Sequence, residues 1–465
     1  MRILCLLFFL SAEFLLSAQG YIHIDRIIVE GNKKTKDEII LRELRFSAGD
    51  SISVQVLDTL IQESEQLIMN TSLFNGASIS TYPCETCLPN NVIVYVLVEE
   101  AWYLYPVPIF ELADRNFNVW WVEQNRSLQR INFGSEFAHT NFTGRMDRLK
   151  VGAKYGYTHN YSLKYSLPYI NKKQTLGISA DISYSKNREV NYATDGNKQL
   201  FYRDTNDFVY NAFRSVAGVT YRPGLRAFHN FYLGFYQNHL SDFVAGELNP
   251  EFFLDGDDTQ RYFSFTYEFT YDERDIRPYP LSGRYISVRL EKDGLGIYKD
   301  RNSMTLFAYY DQYFPFSRKL SLALKTGGKA SLIRTRQPYN DNRAVGFGRN
   351  HLHGYEYYIV DGLDMGFVKT NLRFQVMKEE LNFGKFVPIN QFRKMPVKLY
   401  FSVNNDWGYV NEPFANGNNF LVNQLLWGYG VGLDFVFFYD KVFRIEYSFN
   451  HLMEKGIFLN MNLNI

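Results

Sequence analysis

The stretch GIFLNMNLNI, residues Gly456 to Ile465, decides how the rest of the chain is read. Ile457, Leu459, Met461, Leu463 and Ile465 occupy one set of alternate positions, and Asn460, Asn462 and Asn464 occupy the other. Successive side chains of a strand point to opposite faces, so this segment shows an apolar wall to one medium and amides to another. Two settings ask for that pattern: the closing strand of a membrane β-barrel, with lipid outside and water within, or an edge strand of a soluble sandwich.

Composition separates the two. Aromatic residues make up 17% of the chain, with 40 Phe and 35 Tyr, yet the mean hydropathy is only −0.27. A soluble core rarely uses that many rings, whereas a barrel in lipid needs aromatic girdles at both interfaces. Beyond the first twenty residues the sequence holds no apolar run long enough for a membrane helix. A closed barrel, which pairs every backbone group, is the remaining way to span lipid. A net charge of +1 argues against a nucleic-acid partner.

Residues 1–20 read as a secretory leader. Arg2 supplies the positive start, Ile3 to Leu10 the apolar stretch, and Ala18-Gln19-Gly20 a small-x-small cleavage site. Export predicts an oxidising compartment, in which Cys84 and Cys87 of the C-E-T-C turn pair as a disulfide. A zinc site would need two more ligands, and no His or other Cys lies near these two in sequence. A redox motif would need a helix after Cys84, against which Pro89 argues.

Residues 21–100 read β-α-α-β-β. Ile22, Ile24 and Ile27 to Val29 form a strand ending at Gly31-Asn32, and Thr35 with Glu38 makes a capping box for a short helix. Val54, Leu57, Leu60, Ile61, Leu67 and Ile68 recur at helical spacing, and Val92, Val94, Val96 and Val98 alternate in a closing hairpin. The order strand, G-N, T-x-x-E, G-D, helix, L-F-N, V-x-V-x-V-x-E resembles a POTRA domain. Such domains precede the barrel in the BamA/TamA superfamily of outer-membrane proteins.

From residue 101 to 465 alternating segments recur. Phe263, Phe265, Tyr267, Phe269 and Tyr271 oppose Ser264, Thr266, Glu268 and Thr270. Phe443, Ile445, Tyr447 and Phe449 oppose Arg444, Glu446 and Ser448. Rings on one face and charges on the other suit lipid outside and water inside, since a charge facing mid-bilayer costs ~2–4 kcal/mol. At roughly 23 residues per strand and connection, the region holds about 16 strands. The predicted fold is therefore mainly β: a transmembrane antiparallel β-barrel of about 16 strands after one small α+β POTRA domain.

Two further motifs carry the resemblance. In TYDERDIRPYPLSG, residues 270–283, Asp272, Arg274, Asp275, Pro280 and Gly283 are similar to the family's D-x-R-D…P-x-x-G signature, placed on a periplasmic turn. Physically they read as an ion-pair cluster and a tight return. The long connection 335–364 corresponds to a family loop that enters the lumen and carries [V/I]-R-G-[F/Y] at its tip. Here the tetrad is Leu352-His353-Gly354-Tyr355, with His353 where the family has Arg. The resemblance implies pairing of the loop cation with inner-wall acids. Strand parity nominates Asp406 and Asp434, and Arg349 is a candidate to supply the missing guanidinium. An exposed loop is the alternative. Gly428, Gly430 and Gly432 share a face with Asp434, which fits either close approach of an inserted loop or a curvature kink.

Pro106 and Pro108 at the junction remove two donors from one ladder, or else lie in a linker. The first reading, with the terminal strand from Gly456 to Ile465, makes a weak barrel seam of the kind through which the superfamily is thought to act. The usual final residue is aromatic, and here it is Ile465.

The resemblance thus implies an outer-membrane location with the POTRA domain in the periplasm. It implies a factor that inserts or translocates proteins by strand pairing without ATP. The expected partners are the lipid bilayer, unfolded outer-membrane or secreted clients, and periplasmic or lipoprotein accessory subunits. A passive channel and a two-partner-secretion pore are the alternatives, although such pores normally carry two POTRA units. No cofactor, no metal and no enzymatic activity are expected, because the eight His residues are scattered and no hydrolase or nucleotide motif appears.

Overall fold

The computed structural model describes residues 20–84, 90–171, 173–382, 384, 394–415, 417–437 and 441–462. The expected leader up to Gln19, Cys87 and Ile465 lie outside these. The described residues form two compact units. One holds the chain up to Tyr105 together with Ala138–Leu149, and the other holds Pro106–Phe137 and the chain from Lys150 on.

The first unit contains β1 (Tyr21–Glu30), α1 (Asp37–Leu41), β2 (Ser51–Ser53), α2 (Val54–Asn70), β3 (Phe74–Pro83) and β4 (Asn91–Glu100). Its sheet runs β2-β1-β4-β3, with β1 and β4 parallel. Ile24, Ile40, Ile68, Val94 and Val96 are fully buried between sheet and helices. Cys84 is disulfide-bonded.

Thr35 is not the expected helix cap. The cap position is Lys36, which makes no side-chain cap bond. The Thr35 hydroxyl instead meets the Tyr103 hydroxyl at 2.8 Å and accepts from Asn141 Nδ2 at 2.9 Å. The N–H groups of Lys34 and Thr35 donate to the Glu100 carboxylate at 3.0 and 2.6 Å. Burial would raise the Glu100 pKa, but these donors outweigh it and hold the carboxyl below its usual range. This network extends the unit beyond residue 100 and takes in the 138–149 turn.

The second architecture is a 16-stranded antiparallel sheet of barrel type. Its strands are β5 (Leu104–Leu112), β6 (Ile131–His139), β7 (Arg148–Gly156), β8 (Thr158–Leu167) and β9 (Leu176–Asn187), followed by β12 (Tyr210–Tyr221), β13 (Ala227–Leu240), β14 (Thr259–Asp272), β15 (Gly283–Asp293), β16 (Ser303–Pro315) and β17 (Leu320–Ser331). The last five are β20 (Asp364–Asn382), β21 (Lys394–Asn411), β22 (Leu425–Phe437), β23 (Lys441–Asn450) and β24 (Lys455–Asn462). Two small hairpins, β10/β11 (Glu189–Asp195 and Lys198–Arg203) and β18/β19 (Arg343–Val345 and Val360–Asp361), stand outside this sheet.

The two-residue period governs which side chains meet lipid and which the lumen. On β21 to β23, Phe401, Val403, Val431, Leu433, Ile445 and Tyr447 are turned outward and exposed, each by roughly two fifths. Ser402, Asn404, Asp406, Asp434, Glu446 and Ser448 alternate with them and are buried inside. Both Pro106 and Pro108 lie within β5, which stands at one end of the strand order, with β24 at the other.

Candidate functional site: a loop lock and a barrel seam

Inward-facing charges on β20 to β23 would be costly in a low-dielectric interior unless paired. The 332–363 connection supplies part of that pairing by folding against the wall. The His353 N–H donates to Asp406 Oδ2 at 3.1 Å, and His353 Nδ1 contacts the same oxygen at 2.7 Å. On the other side of the ring, Nε2 lies 3.3 Å from Glu446 Oε2 and 3.3 Å from Arg444 Nη1. His353 is on the loop rather than on a spanning strand. Burial disfavours its charge, but Asp406 and Glu446 outweigh that and raise its pKa above the ordinary value.

The tetrad is seated by backbone proximity. Gly354 has φ +83°, and a Cβ there would sit 2.4 Å from the Phe449 carbonyl oxygen. On the facing strand, a Cβ at Gly428 would sit 1.8 Å from the His353 carbonyl oxygen. Close approach of the loop therefore accounts for Gly428, but not for its two companions. Gly430 and Gly432 are hemmed in by Ser448, Tyr447 and Ser402 of their own sheet. Leu352 is fully buried against Gly408. The Tyr355 hydroxyl lies 3.1 Å from both the N and the O of Trp427 and also meets His451. Asn450 Nδ2 donates to the Gly354 carbonyl at 2.9 Å.

Arg349 does not take Asp406 or Asp434. It reaches Asp311 on β16 at 3.0 Å and lies over the Tyr309 ring. Its backbone carbonyl accepts from Lys369 Nζ at 2.9 Å. Arg349 lies mid-loop, four residues before His353, and its side chain meets the inner face of β16 while the tetrad lies on β21 and β22.

Asp434 belongs to the other motif. Arg444 binds it through both Nε and Nη2, at 2.6 and 3.0 Å, and Tyr279 of the 270–283 turn donates to it at 2.7 Å. Tyr279 packs on Tyr400, Val436 and Val442, and Arg373 donates to the Pro280 carbonyl at 2.8 Å. Within the turn, Asp272 holds Arg274 and Arg277 at 2.8 and 3.0 Å. Asp275 accepts from the N–H groups of Leu281 and Ser282. Gly283 has φ +94°, where a Cβ would lie 2.1 Å from the Glu273 carbonyl oxygen. Arg444, Glu446 and Tyr279 were not singled out from sequence. The inward parity of the Arg444 and Glu446 strand was visible there, and Tyr279 lies between two prolines of a recognised motif.

The seam is built differently. Just outside the two ends of β5, the Tyr103 carbonyl accepts from Thr140 N and Ala113 N donates to the Arg130 carbonyl, Thr140 and Arg130 flanking β6. Odd positions thus face β6, and with the alternation running between them the nitrogens of Pro106 and Pro108 face the opposite edge. In β24, Leu459 lies opposite Ile445 of β23. Its N–H donates to Asn118 Oδ1 at 2.9 Å, and its carbonyl accepts from Asn118 Nδ2 at 3.2 Å. Leu459 therefore turns both backbone groups away from β23. Gly456 leaves room for the inward ring of Phe458, which packs on Tyr357 of the loop at 5.5 Å between centroids.

A family model described as the Omp85 superfamily domain matches residues 141–436. A POTRA model, described as a surface antigen variable number repeat, matches residues 22–101. No curated protein matches the chain in sequence. Among solved structures, the chain is similar to BamA from Haemophilus ducreyi lacking POTRA domains 1–3. That match has 14% identity and a TM-score of 0.59, covering 95% of this chain and 83% of the other. It is also similar to CdiB from Escherichia coli, at 10% identity and a TM-score of 0.57, covering 95% and 74%. At such identities the likeness concerns the fold.

Proposed function

Because the chain belongs to the Omp85 superfamily, we propose that it inserts or translocates other proteins at an outer membrane, with its POTRA domain in the periplasm. The client engages the barrel seam by β-strand pairing, with backbone hydrogen bonds as the driving contacts and no nucleotide consumed. The bilayer, unfolded outer-membrane or secreted polypeptides, and accessory subunits are its partners, and the proposal involves no bond-making chemistry. One observation carries the reading: Leu459 presents its N–H and carbonyl away from β23, where they meet a side chain. An extended polypeptide offers the same two groups in the same spacing.

Assembly of a model barrel protein into liposomes with and without the full chain tests this. Faster folding with the protein present supports insertion. Passage of a secreted polypeptide without barrel assembly points to the export pore. Steady conductance with neither effect leaves a passive channel and overturns the proposal.

A further inference from the structure

The segment Asp114–Asn118, between β5 and β6, is anchored by the buried ion pair of Asp114 with Arg130 at 2.8 Å and makes three further contacts that no family motif accounts for. At one end, the Asn118 carboxamide accepts from the Leu459 N–H and donates to the Leu459 carbonyl. This is the two-bond pattern that one residue of an opposing strand would make. Asn118 is 5% exposed, so the amide exchanges little with water. At the other end, Asn116 Nδ2 donates to the Glu356 carbonyl at 2.8 Å, and Arg115 Nη1 donates to the Gly346 carbonyl at 3.2 Å. Both acceptors belong to the lumen loop.

The two ends are joined rigidly. Asn116 Oδ1 accepts from the Val119 N–H at 2.9 Å, so one amide both caps the following turn and holds the loop. That turn, Val119–Glu123, is braced by Phe117 against Trp120 and Trp121 at 5.7 and 5.4 Å, and by Trp120 Nε1 donating to the Ser127 carbonyl at 2.9 Å. Val119 is 2% exposed. Asn118 is thus held in place by neighbours that also hold the loop.

We propose that Asp114–Asn118 is a clasp in which the Asn118 carboxamide stands in for a strand residue at the edge of β24, while Asn116 and Arg115 tie that placeholder to the lumen loop. Seam and loop are then released together. A side-chain amide is a displaceable occupant, because it offers two hydrogen bonds where a paired strand offers a ladder. The displacement of Asn118 by a client strand rests on the insertion reading above, but the clasp itself does not.

The test is hydrogen–deuterium exchange on the full chain in bilayer discs, comparing wild type with Asn118→Leu and Asn118→Asp. Leucine keeps the size and loses both bonds; aspartate keeps an acceptor for the Leu459 N–H and loses the donor. The expected result is roughly ten-fold faster exchange across residues 455–462 for Asn118→Leu, the scale of two lost bonds, and at least as large a rise for Asn118→Asp, whose buried carboxylate faces the Leu459 carbonyl. The loop peptide 346–357 should speed up in parallel, and Asn116→Ala should accelerate both segments. The heat-modifiable gel shift reports whether each variant is folded, and a variant that does not fold is replaced by Asn118→Ser, for which the same rise is expected. Unchanged exchange in folded Asn118→Leu overturns the clasp. A rise at 455–462 with none at 346–357 overturns the coupling. The liposome assay reports separately, so a wild-type protein without insertion activity whose variants still show the rise defeats the insertion reading and leaves the clasp standing.

Discussion

The wall from β20 to β23 and the seam strand β24 are neighbours in one sheet but are held by opposite means. On the wall, buried charges are met from several directions, with Asp406 on His353 and Asp434 on Arg444 and Tyr279. At the seam, the outward groups of Leu459 are met by one amide, and β5, at the other end of the strand order, carries two prolines on its edge away from β6. Removing one partner of a buried pair strands a charge, whereas removing one amide frees two groups that the next strand can satisfy. The wall is therefore held by more contacts than the seam, as the proposed exchange at β24 requires.

The largest effect should come from separating the loop from its wall. Gly428→Val drives a side chain into the His353 carbonyl oxygen, and because what it strikes is backbone, relaxation is limited. The expected loss is about 3 kcal/mol or more, read as a collapse of the heat-modifiable folded band. Gly366→Ala on β20, where a Cβ meets nothing within 4 Å, should leave the band unchanged. Equal damage from both would mean that strand glycines matter here for reasons other than the loop.

His353→Ala follows. It leaves Asp406 and Glu446 buried without their shared partner, a loss of roughly 3–5 kcal/mol at full burial and less where water enters the space. Arg349→Ala should cost less, because its guanidinium is two fifths exposed. Matching losses would show that the two loop cations share the anchoring equally. Tyr279→Phe removes a single bond to Asp434 and should cost about 1.5–3 kcal/mol, with Tyr400 packing retained.

How far these contacts were legible follows from what fixes them. The period-2 alternation, which is local, marks the strands and the inward face, so Asp406 and Asp434 could be placed on the inner wall from sequence. Which inward residue meets which depends on strand register and on the path of the loop. Arg349 was set against strands further along the chain, yet from the middle of the loop it meets Asp311 on β16, two strands before β20 in the sheet. Asn118 and Leu459 are 341 residues apart, and nothing in either neighbourhood announces the pairing. Thr35 showed a true local pattern that lost to a distant competitor, because Tyr103 and Asn141 claimed its hydroxyl.

The lock should also loosen as pH rises. His353 has an ordinary pKa of 6.5 and is raised in the folded loop. Its contribution is complete below 6.5 and is lost as pH climbs through the raised value. Glu356, with both oxygens lacking a partner, is pushed by burial and then by Glu446 from 4.5 to about 8. It binds a proton in the folded loop that the unfolded chain has released, so stability again falls as pH rises from 4.5 to about 8. Protection of loop residues 350–357, measured against the exchange rate of the unfolded chain at the same pH, should therefore fall between pH 6 and 9. His353→Arg, which does not titrate in this range, should flatten the His353 part. An unchanged slope in that variant would assign the whole effect to Glu356.

The smallest effect is expected at the seam, and it bears most directly on the contrast. Pro106 and Pro108 withhold two N–H groups from the open edge of β5, so replacing both with Ala restores donors without touching the β6 ladder. If β24 is the neighbour of that edge, the double variant should bind it more firmly by about 1 kcal/mol, the worth of one or two exposed backbone bonds. Exchange across 455–462 should then slow several-fold, and any insertion activity should fall, because a better-paired seam is a poorer exchange site. Slower exchange with unchanged activity would separate seam strength from function. Faster exchange would mean that the prolines brace β5, and the edge would then be weak because of Asn118 alone.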